Sequence, residues 1–382
     1  FLYIVLQFLV CAWVFGQVTA FAARLGCSRG VQYAVTAFFA LDPIWGAFIQ
    51  TQVKDTLYTG LFVLFVLKTA DLLLFPQKWQ GNRPRLTAYA VLGVLCCLLR
   101  KNGIYAVVPM LLVSACTVSE KRLRRPVLAV LLAVCIGSFG FDTFTEKVLD
   151  IPAGSVGEAL SVPMQQTARY IRDYGNEVTD DERTAIEKVL DYDAIAQSYM
   201  PELSDGVKQY YKNPGKGDLA RYMLVWAKML LKHPVCYFEA THANSHGYYT
   251  ITKCRAINDY YTFNNDICME MSEMNVHYLD KSGYLRYAFV QALSAFEKLP
   301  LVGLTTSIGF MAWLTAVLGL WLAHCKAKPV LPVFIGLGIF WLTCIASPVN
   351  DCMRYFLPVA GCLPLVFCLA AVFSREKSEI TV

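Results

Sequence analysis

The sequence predicts an all-α fold, a polytopic bundle of transmembrane helices that carries a helical extracytoplasmic domain. Composition is the first observation, because 56% of the 382 residues are hydrophobic and only 16% are charged, unlike a soluble domain. Apolar runs of about 20 residues, the length that a helix needs to cross a bilayer, recur along the chain. One long polar segment, 146–303, interrupts them, and its apolar residues recur at the spacing of amphipathic helices.

Nine apolar windows are predicted to be transmembrane spans: 1–22, 31–49, 57–75, 86–99, 104–117, 127–144, 304–323, 330–346 and 354–373. No basic stretch precedes the first window, so it is not predicted to be a signal peptide, and we expect further residues upstream of Phe1. The windows divide the chain into an N-terminal transmembrane bundle (1–145), the extracytoplasmic domain (146–303), C-terminal transmembrane helices (304–373) and a tail (374–382).

The positive charges predict the orientation of the chain. Loops on one side of the predicted bundle hold 13 cations, whereas the short loops on the other side hold four: Lys54, Arg100, Lys101 and Arg354. Positive residues favour the cytoplasm, so the side with 13 cations and the tail are predicted to be cytoplasmic and the polar segment to be outside. The net charge of +5 does not indicate nucleic-acid binding, because the excess cations lie in short loops.

Two features inside the windows depart from plain spans. Asp42 and Pro43 predict that window 31–49 is a broken helix, since proline fits the first position of a helix and aspartate caps it. A ligand role for Asp42 is the alternative. Lys68 and Asp71 lie three residues apart on one face of window 57–75 and are predicted to form a structural ion pair.

Three predicted outer turns carry polar side chains that a plain membrane hairpin does not need. They read KD at 54–55, RKNG at 100–103 and NDCMR at 350–354. Contact with lipid headgroups would explain such cations at an interface. Because three such turns are predicted on one face of the membrane, a binding site there is the preferred interpretation.

The broken helix and these turns resemble the GT-C membrane glycosyltransferases, which include protein mannosyltransferases and lipid A aminoarabinose transferases. More narrowly, LSVPMQQTARYI (160–171) and KHPVCYFEATHANSHGYYT (232–250) resemble signatures of an uncharacterised bacterial family of polytopic membrane proteins allied to them. The resemblance implies transfer of a sugar from a polyprenyl-phosphate donor to an envelope acceptor at the outer face of the membrane.

The resemblance assigns roles to the turns. Cations would stabilise the phosphate that the sugar leaves behind, and the expected phosphate-binding and substrate-binding residues are Lys54, Arg100, Lys101, Asn102, Asn350, Arg354, Gln165, Gln166 and Arg169. Gln165, Gln166 and Arg169 would line the roof of the site, and a surface helix face explains these three residues equally well. Asp55 is the candidate acidic residue, and it would bind a divalent cation, orient an acceptor or hold Lys54. GT-C enzymes usually carry their catalytic acid in the first outer loop, so we expect that residue upstream of Phe1.

Two other classes of function remain open. A transporter or flippase of lipid-linked envelope precursors also fits broken helices and buried charges, although we find no inverted repeat in the sequence. A non-catalytic membrane scaffold that binds a partner through the polar segment is the third reading.

Histidine and cysteine give weaker signals. His242 and His246 have the spacing of metal ligands on a helix, but HANSH lacks the glutamate of a zinc hydrolase, so hydrogen-bonding roles are predicted. A disulfide between Cys254 and Cys268 and free thiols at both positions are alternatives.

The charge count generates a test of topology. A cysteine introduced at Tyr211 should react with a membrane-impermeant thiol reagent added outside intact cells, whereas one at Arg122 should be protected. Labelling of Arg122→Cys together with protection of Tyr211→Cys would reverse the predicted orientation.

Overall fold

The computed structural model describes residues 2–151, 154–251 and 283–381, and helices account for the regular structure of these ranges. The helices are α1 Leu2–Arg24, α2 Arg29–Leu41, α3 Pro43–Ile49, α4 Lys54–Leu74, α5 Arg83–Leu99, α6 Gly103–Thr117, α7 Lys121–Lys147, α8 Ser161–Tyr174, α9 Asp180–Glu187, α10 Tyr192–Gln197, α11 Asp205–Lys208, α12 Lys216–Lys232, α13 Pro234–Ser245, α14 Tyr284–Glu297, α15 Ile308–His324, α16 Leu331–Ile345 and α17 Met353–Thr381. The prediction of an all-α fold is confirmed for this part of the chain.

The helices have the lengths and the apolar composition of a helical membrane protein. Within the described ranges five helical stretches are long and apolar enough to cross a bilayer: Leu2–Arg24, Lys54–Leu74, Lys121–Lys147, Lys328–Ile345 and Met353–Arg375. Two further apolar helices, α6 and α15, are shorter. In the described residues the predicted windows fall mainly on helix, and five helical stretches there reach spanning length.

The predicted break in window 31–49 is confirmed. Helix α2 ends at Leu41, and α3 begins at Pro43 with Asp42 as its N-cap. The Asp42 side chain accepts a hydrogen bond from the Ile44 amide at 3.1 Å, which satisfies one of the free amides at the helix start. Its second oxygen accepts from the Thr305 hydroxyl.

Two compact units make up the chain. The first contains residues 1–135, 250–338 and 353–382, and the second contains 136–249 and 339–352. These units cut the chain differently from the predicted segments, because 339–352 groups with the polar residues rather than with the C-terminal spans.

Helix α4 is the central element of the first unit. It packs against α1, α5, α6 and α17, and 78% of its apolar window is buried. Glycines allow the close approach: a Cβ at Gly361 of α17 would lie 2.7 Å from Val63 of α4, and one at Gly60 would lie 3.3 Å from Cys11 of α1. Small residues commonly mediate such contacts between helices in a bilayer.

The ion pair predicted for Asp71 has a different partner. Asp71 lies in α4 and pairs with Arg24 at 3.0 Å, while its second oxygen accepts from the Trp79 indole at 2.9 Å. The prediction that Lys68 neutralises it by direct pairing was therefore wrong. Arg24 ends α1 and its long side chain reaches the carboxylate from a neighbouring helix, which sequence spacing along α4 could not reveal.

The second unit has its own core. Residues of α8, α9, α12 and α13 bury an aromatic-rich cluster that includes Tyr170, Tyr222 and Tyr237. The Tyr237 hydroxyl donates to the Trp226 carbonyl at 2.8 Å, and the Tyr222 and Thr167 hydroxyls lie 2.9 Å apart. Burial raises the pKa of the Tyr170 hydroxyl to about 12, so this group stays neutral at physiological pH.

Candidate functional site

Asp55 joins two of the predicted cations in the first unit. It lies in the first turn of α4 and is buried. One carboxylate oxygen lies 3.3 Å from Arg100 Nη1, and the other lies 3.7 Å from Arg354 Nε. Residues from three separate turns of the sequence thus meet around a single carboxylate, which we call the Asp55 cluster (Asp55, Arg100 and Arg354).

Helix ends place these residues. Helix α4 begins at Lys54, α17 begins at Met353, and Arg100 lies in the turn between α5 and α6. The N-terminus of a helix carries a partial positive charge, so the starts of α4 and α17 favour an anion beside them. The Gly103 amide closes the turn by donating to the Arg100 carbonyl at 2.8 Å.

Glycine at position 103 is a steric requirement of this arrangement. A Cβ there would lie 2.7 Å from the Cys96 carbonyl oxygen and 3.1 Å from the Tyr58 hydroxyl. A side chain there would press on the backbone of α5 at Cys96 and on Tyr58 of α4, so the turn would have to shift. The glycine therefore keeps Arg100 within reach of Asp55.

Two tyrosine rings flank the guanidinium groups. The Arg100 guanidinium carbon lies 5.0 Å from the centroid of Tyr355 and 5.9 Å from that of Tyr58. The Arg354 guanidinium also lies 5.0 Å from the Tyr355 centroid and donates to its hydroxyl at 3.2 Å. Arginine stacks well on aromatic faces, and such contacts hold the planar donor fork in a fixed orientation.

The other predicted cations of these turns are exposed. Lys54 precedes Asp55 in the chain, and Lys101 and Asn102 follow Arg100. With both lysines counted, the three turns hold four cations and two carboxylates, Asp55 and Asp351, a formal charge of +2. The Asp55 oxygens pair with the two arginines rather than with Lys54, which was one of three alternatives that the sequence left open for Asp55.

Asn350 belongs to the second unit and has partners there. Its side-chain oxygen accepts from the Gly247 amide at 2.8 Å, and its amide nitrogen lies 3.1 Å from a ring nitrogen of His246. His242 lies 2.8 Å from the Tyr249 hydroxyl. Both histidines thus take part in hydrogen bonds, as the sequence predicts.

Gln165, Gln166 and Arg169 lie on α8 of the second unit. Gln166 donates to the Thr241 hydroxyl at 2.8 Å and accepts from the Trp226 indole at 2.9 Å, while Gln165 donates to the Met200 carbonyl. Arg169 pairs with Asp173 and Glu239. A hydrogen bond from Arg172 lowers the pKa of the Asp173 carboxyl. These contacts account for the three side chains within the unit, and their predicted substrate role stays a prediction.

A groove of about 730 Å³ lies along α1, α2 and α3 in the first unit. Its lining is mainly apolar, with Asp42 and Gln50 among its few polar residues. The loop that leads from Gln50 to Asp55 is fixed on α1, because the Gln7 side chain donates to the Ile49 and Thr51 carbonyls at 2.9 and 3.0 Å. The volume lies in the range of small-molecule sites in proteins.

Metal ligands are not clustered in the part of the chain that the structure describes. No group of three or more His, Cys, Asp or Glu side chains there could hold an ion. Asp55 contacts cations instead. Cys254 and Cys268, which the sequence offers as a disulfide, lie outside the described residues.

Sequence reasoning missed the aromatic rings and the groove. Tyr58 lies three residues after Asp55 on a helix, and Tyr355 follows Arg354 directly, so both were available from sequence spacing. The groove had no such signal, because it forms only when α2 folds back along α1.

Comparison with protein-family models gives one match. Residues 1–381 match the model of DUF6020, a family of unknown function. The chain belongs to the DUF6020 family. No curated protein and no solved structure matches it. For this DUF6020 member, the argument for function therefore rests on the residues of the site.

The Asp55 cluster predicts a stability effect that an anion reverses. Breaking a buried ion pair typically costs about 3–5 kcal/mol, and the share due to Arg354 is smaller because its side chain is 40% exposed. We expect Asp55→Asn to lower the unfolding temperature in detergent, and inorganic pyrophosphate to restore much of the loss by binding the two guanidinium groups.

Asp71→Asn is the matched control, since it removes a buried carboxylate of the same helix from a single arginine. Asp71→Asn should lower the unfolding temperature, and pyrophosphate should raise the unfolding temperature of this variant much less than that of Asp55→Asn. Equal gains for both variants would mean that the Asp55 cluster has no special affinity for anions.

Proposed function

We propose that this chain is a GT-C-type membrane glycosyltransferase that moves a sugar from a polyprenyl-phosphate donor to an envelope acceptor at the outer face. The observation that carries the proposal is the Asp55 cluster, in which Arg100 and Arg354 converge on one anion beside two helix starts. The apolar groove, whose lining includes Gln50 five residues before Asp55, offers a place for a lipid chain.

The guanidinium groups suit the leaving group of this reaction. When the bond between the sugar and the phosphate breaks, the phosphate gains negative charge. Fixed donors placed where that charge develops stabilise the transition state. Arginine binds phosphate through two parallel hydrogen bonds, and the tyrosine rings beside Arg100 and Arg354 keep the donors oriented.

Asp55 occupies the position that the phosphate would take. A donor phosphate competes with the carboxylate for the same guanidinium groups, so binding of the donor would release Asp55 from its ion pairs. The freed carboxylate could then accept the proton of an acceptor hydroxyl as that oxygen bonds to the sugar carbon. In this scheme polyprenyl phosphate leaves with the electrons of the broken bond, and the proton ends on the carboxylate.

The groove along α1 to α3 supplies the second half of the donor site. A polyprenyl chain is apolar, and in the groove it would gain dispersion contacts with Phe15, Phe39 and Trp45. Extended backbone covers at most about 3.6 Å per residue, so the loop from Gln50 to Asp55 keeps the groove within reach of the cluster.

The first test uses polyprenyl phosphate, the product lipid, as the ligand in detergent. Arg100→Ala, Lys101→Ala and Arg354→Ala should each weaken binding more than Lys78→Ala, a cation of a predicted cytoplasmic loop. Loss of one charge-assisted contact costs about 1.5–3 kcal/mol, roughly tenfold to hundredfold in Kd.

Transfer is measured with lipid-linked sugars extracted from membranes. In the Asp55 scheme, which replaces the catalytic acid expected from the GT-C resemblance by Asp55, the unchanged chain should release polyprenyl phosphate, and Asp55→Asn should retain binding while losing about 10²–10⁴-fold in rate. Equal affinities in the Arg100→Ala and Lys78→Ala variants would remove the phosphate site. Binding without transfer for every donor would instead favour a flippase of lipid-linked precursors.

A second test separates the groove from the phosphate site. Gly16 lines the groove, and a Cβ at this position would meet nothing within 4 Å. The Cβ of Gly16→Phe therefore fits without a clash, and the phenyl ring would fill part of the groove. Binding of the long lipid should weaken because the ring takes the place of part of the chain and removes its packing contacts in the groove. The loss should appear with a long polyprenyl phosphate and not with a short-chain analogue.

Gly338→Phe is the control, because a Cβ at Gly338 of α16 also meets nothing within 4 Å. If the two phenylalanine variants bind the long lipid equally well, the chain lies elsewhere. The phosphate assignment would then stand on the arginine variants alone.

A further inference from the structure

Helices α12 and α13 of the second unit are apolar on two sides. Their inner side enters the core through Tyr222, Val225 and Met229 of α12 and Tyr237 of α13. A helix that is apolar all round is normally buried on all sides. Here the outer side is open to solvent.

The outer side carries a row of large apolar side chains. Leu224 is 66% exposed and Leu231 82% on α12, and Val235 is 65% exposed and Phe238 72% on α13. In α12 the spacing of Arg221, Leu224, Lys228 and Leu231 is three and four residues, which puts all four on one stripe of the helix. We call this row of exposed residues from Arg221 to Phe238 the outer face of α12–α13.

Cations are in excess on this face. Residues 219–238 contain three cations, Arg221, Lys228 and Lys232, and no Asp or Glu. The acidic residues at its two ends, Asp218 and Glu239, are paired with Lys188 and Arg169. Lys232 pairs with Glu182 at 2.7 Å, so Arg221 and Lys228 supply the charge beside the exposed leucines. Apolar residues interleaved with cations are typical of helices that lie in the surface of an anionic bilayer.

We infer that the outer face of α12–α13 docks on the lipid surface of the outer leaflet, with Leu231, Val235 and Phe238 in the boundary between headgroups and acyl chains. The chain is held in a membrane by its apolar helices, so a lipid surface is present at high effective concentration. Anionic headgroups complement Arg221 and Lys228.

A second copy of the chain fits this face less well. A two-fold contact would bury the same patch of both copies, so Arg221 and Lys228 of both copies, four cations, would share one interface. Like charges across an interface oppose association. An anionic lipid surface meets the same residues with the opposite charge.

The test places a photo-reactive benzoylphenylalanine at Phe238 or at Leu231 in the full chain. The protein is reconstituted into liposomes of equal parts phosphatidylcholine and phosphatidylglycerol and irradiated, and adducts are identified by mass spectrometry. Both positions should give phospholipid adducts. Asp193, whose side chain is 77% exposed on α10 of the same unit, is the control position and should give few.

Charge supplies a second readout. Adding Arg221→Glu and Lys228→Glu to the Phe238 probe should lower the yield of lipid adduct, by about fivefold for each cation removed, in anionic liposomes. Liposomes of phosphatidylcholine alone should show little change. The probe proteins should elute from size exclusion as the unchanged chain does.

Several results would overturn the inference. Equal lipid adducts at Asp193 and at both face positions would mean that the face has no preference for the bilayer. A cross-linked dimer of the chain, or a cross-link to another protein when the experiment is repeated in native membranes, would identify a protein as the occupant. Absence of any adduct at both face positions would leave the face in water.

Discussion

The ion pairs of Asp55 with Arg100 and Arg354 join three helix ends of the first unit. Charges are costly within a membrane protein unless they are paired, so the carboxylate and the two guanidinium groups must stay together. Since each comes from a different helix end, the pairing ties α4, the turn between α5 and α6, and α17 to one another. The pairing thus serves the fold and at the same time preserves two cations beside one exchangeable anion.

Close helix packing is what makes this pairing geometrically possible. Helix α4 is surrounded by α1, α5, α6 and α17, and glycines at 60, 103 and 361 stand where a Cβ would press on a neighbouring helix or turn. Overpacking at such positions separates helices or forces side chains out of their rotamers. A displacement of α17 or of the α5–α6 turn would also displace an arginine from Asp55. Packing and electrostatics are therefore coupled at the same helix ends.

The two units solve the problem of polar groups in different ways. In the second unit, buried amides and hydroxyls such as Gln166, Asn350 and Tyr237 bond to backbone and side-chain partners nearby, as buried polar groups generally do. At the Asp55 cluster, the partners of the carboxylate are themselves charged. An anionic ligand can replace the carboxylate there without leaving a donor buried and unsatisfied, which is why this cluster, rather than the network around Asn350, supports a catalytic proposal.

Local sequence determined the helices and their interruptions. Apolar windows located them, and Asp42 with Pro43 placed the break between α2 and α3, because capping and the proline ring act within a few residues. The residue types of the candidate site could also be predicted from the sequence, because charged residues are rare in an apolar chain of this kind. Tertiary structure alone decided which of them meet: Asp55 with Arg100 and Arg354, Asp71 with Arg24 rather than Lys68, and Asn350 with Gly247 in the other unit. Pairing across helices depends on helix rotation and close approach, and no spacing along one helix encodes these.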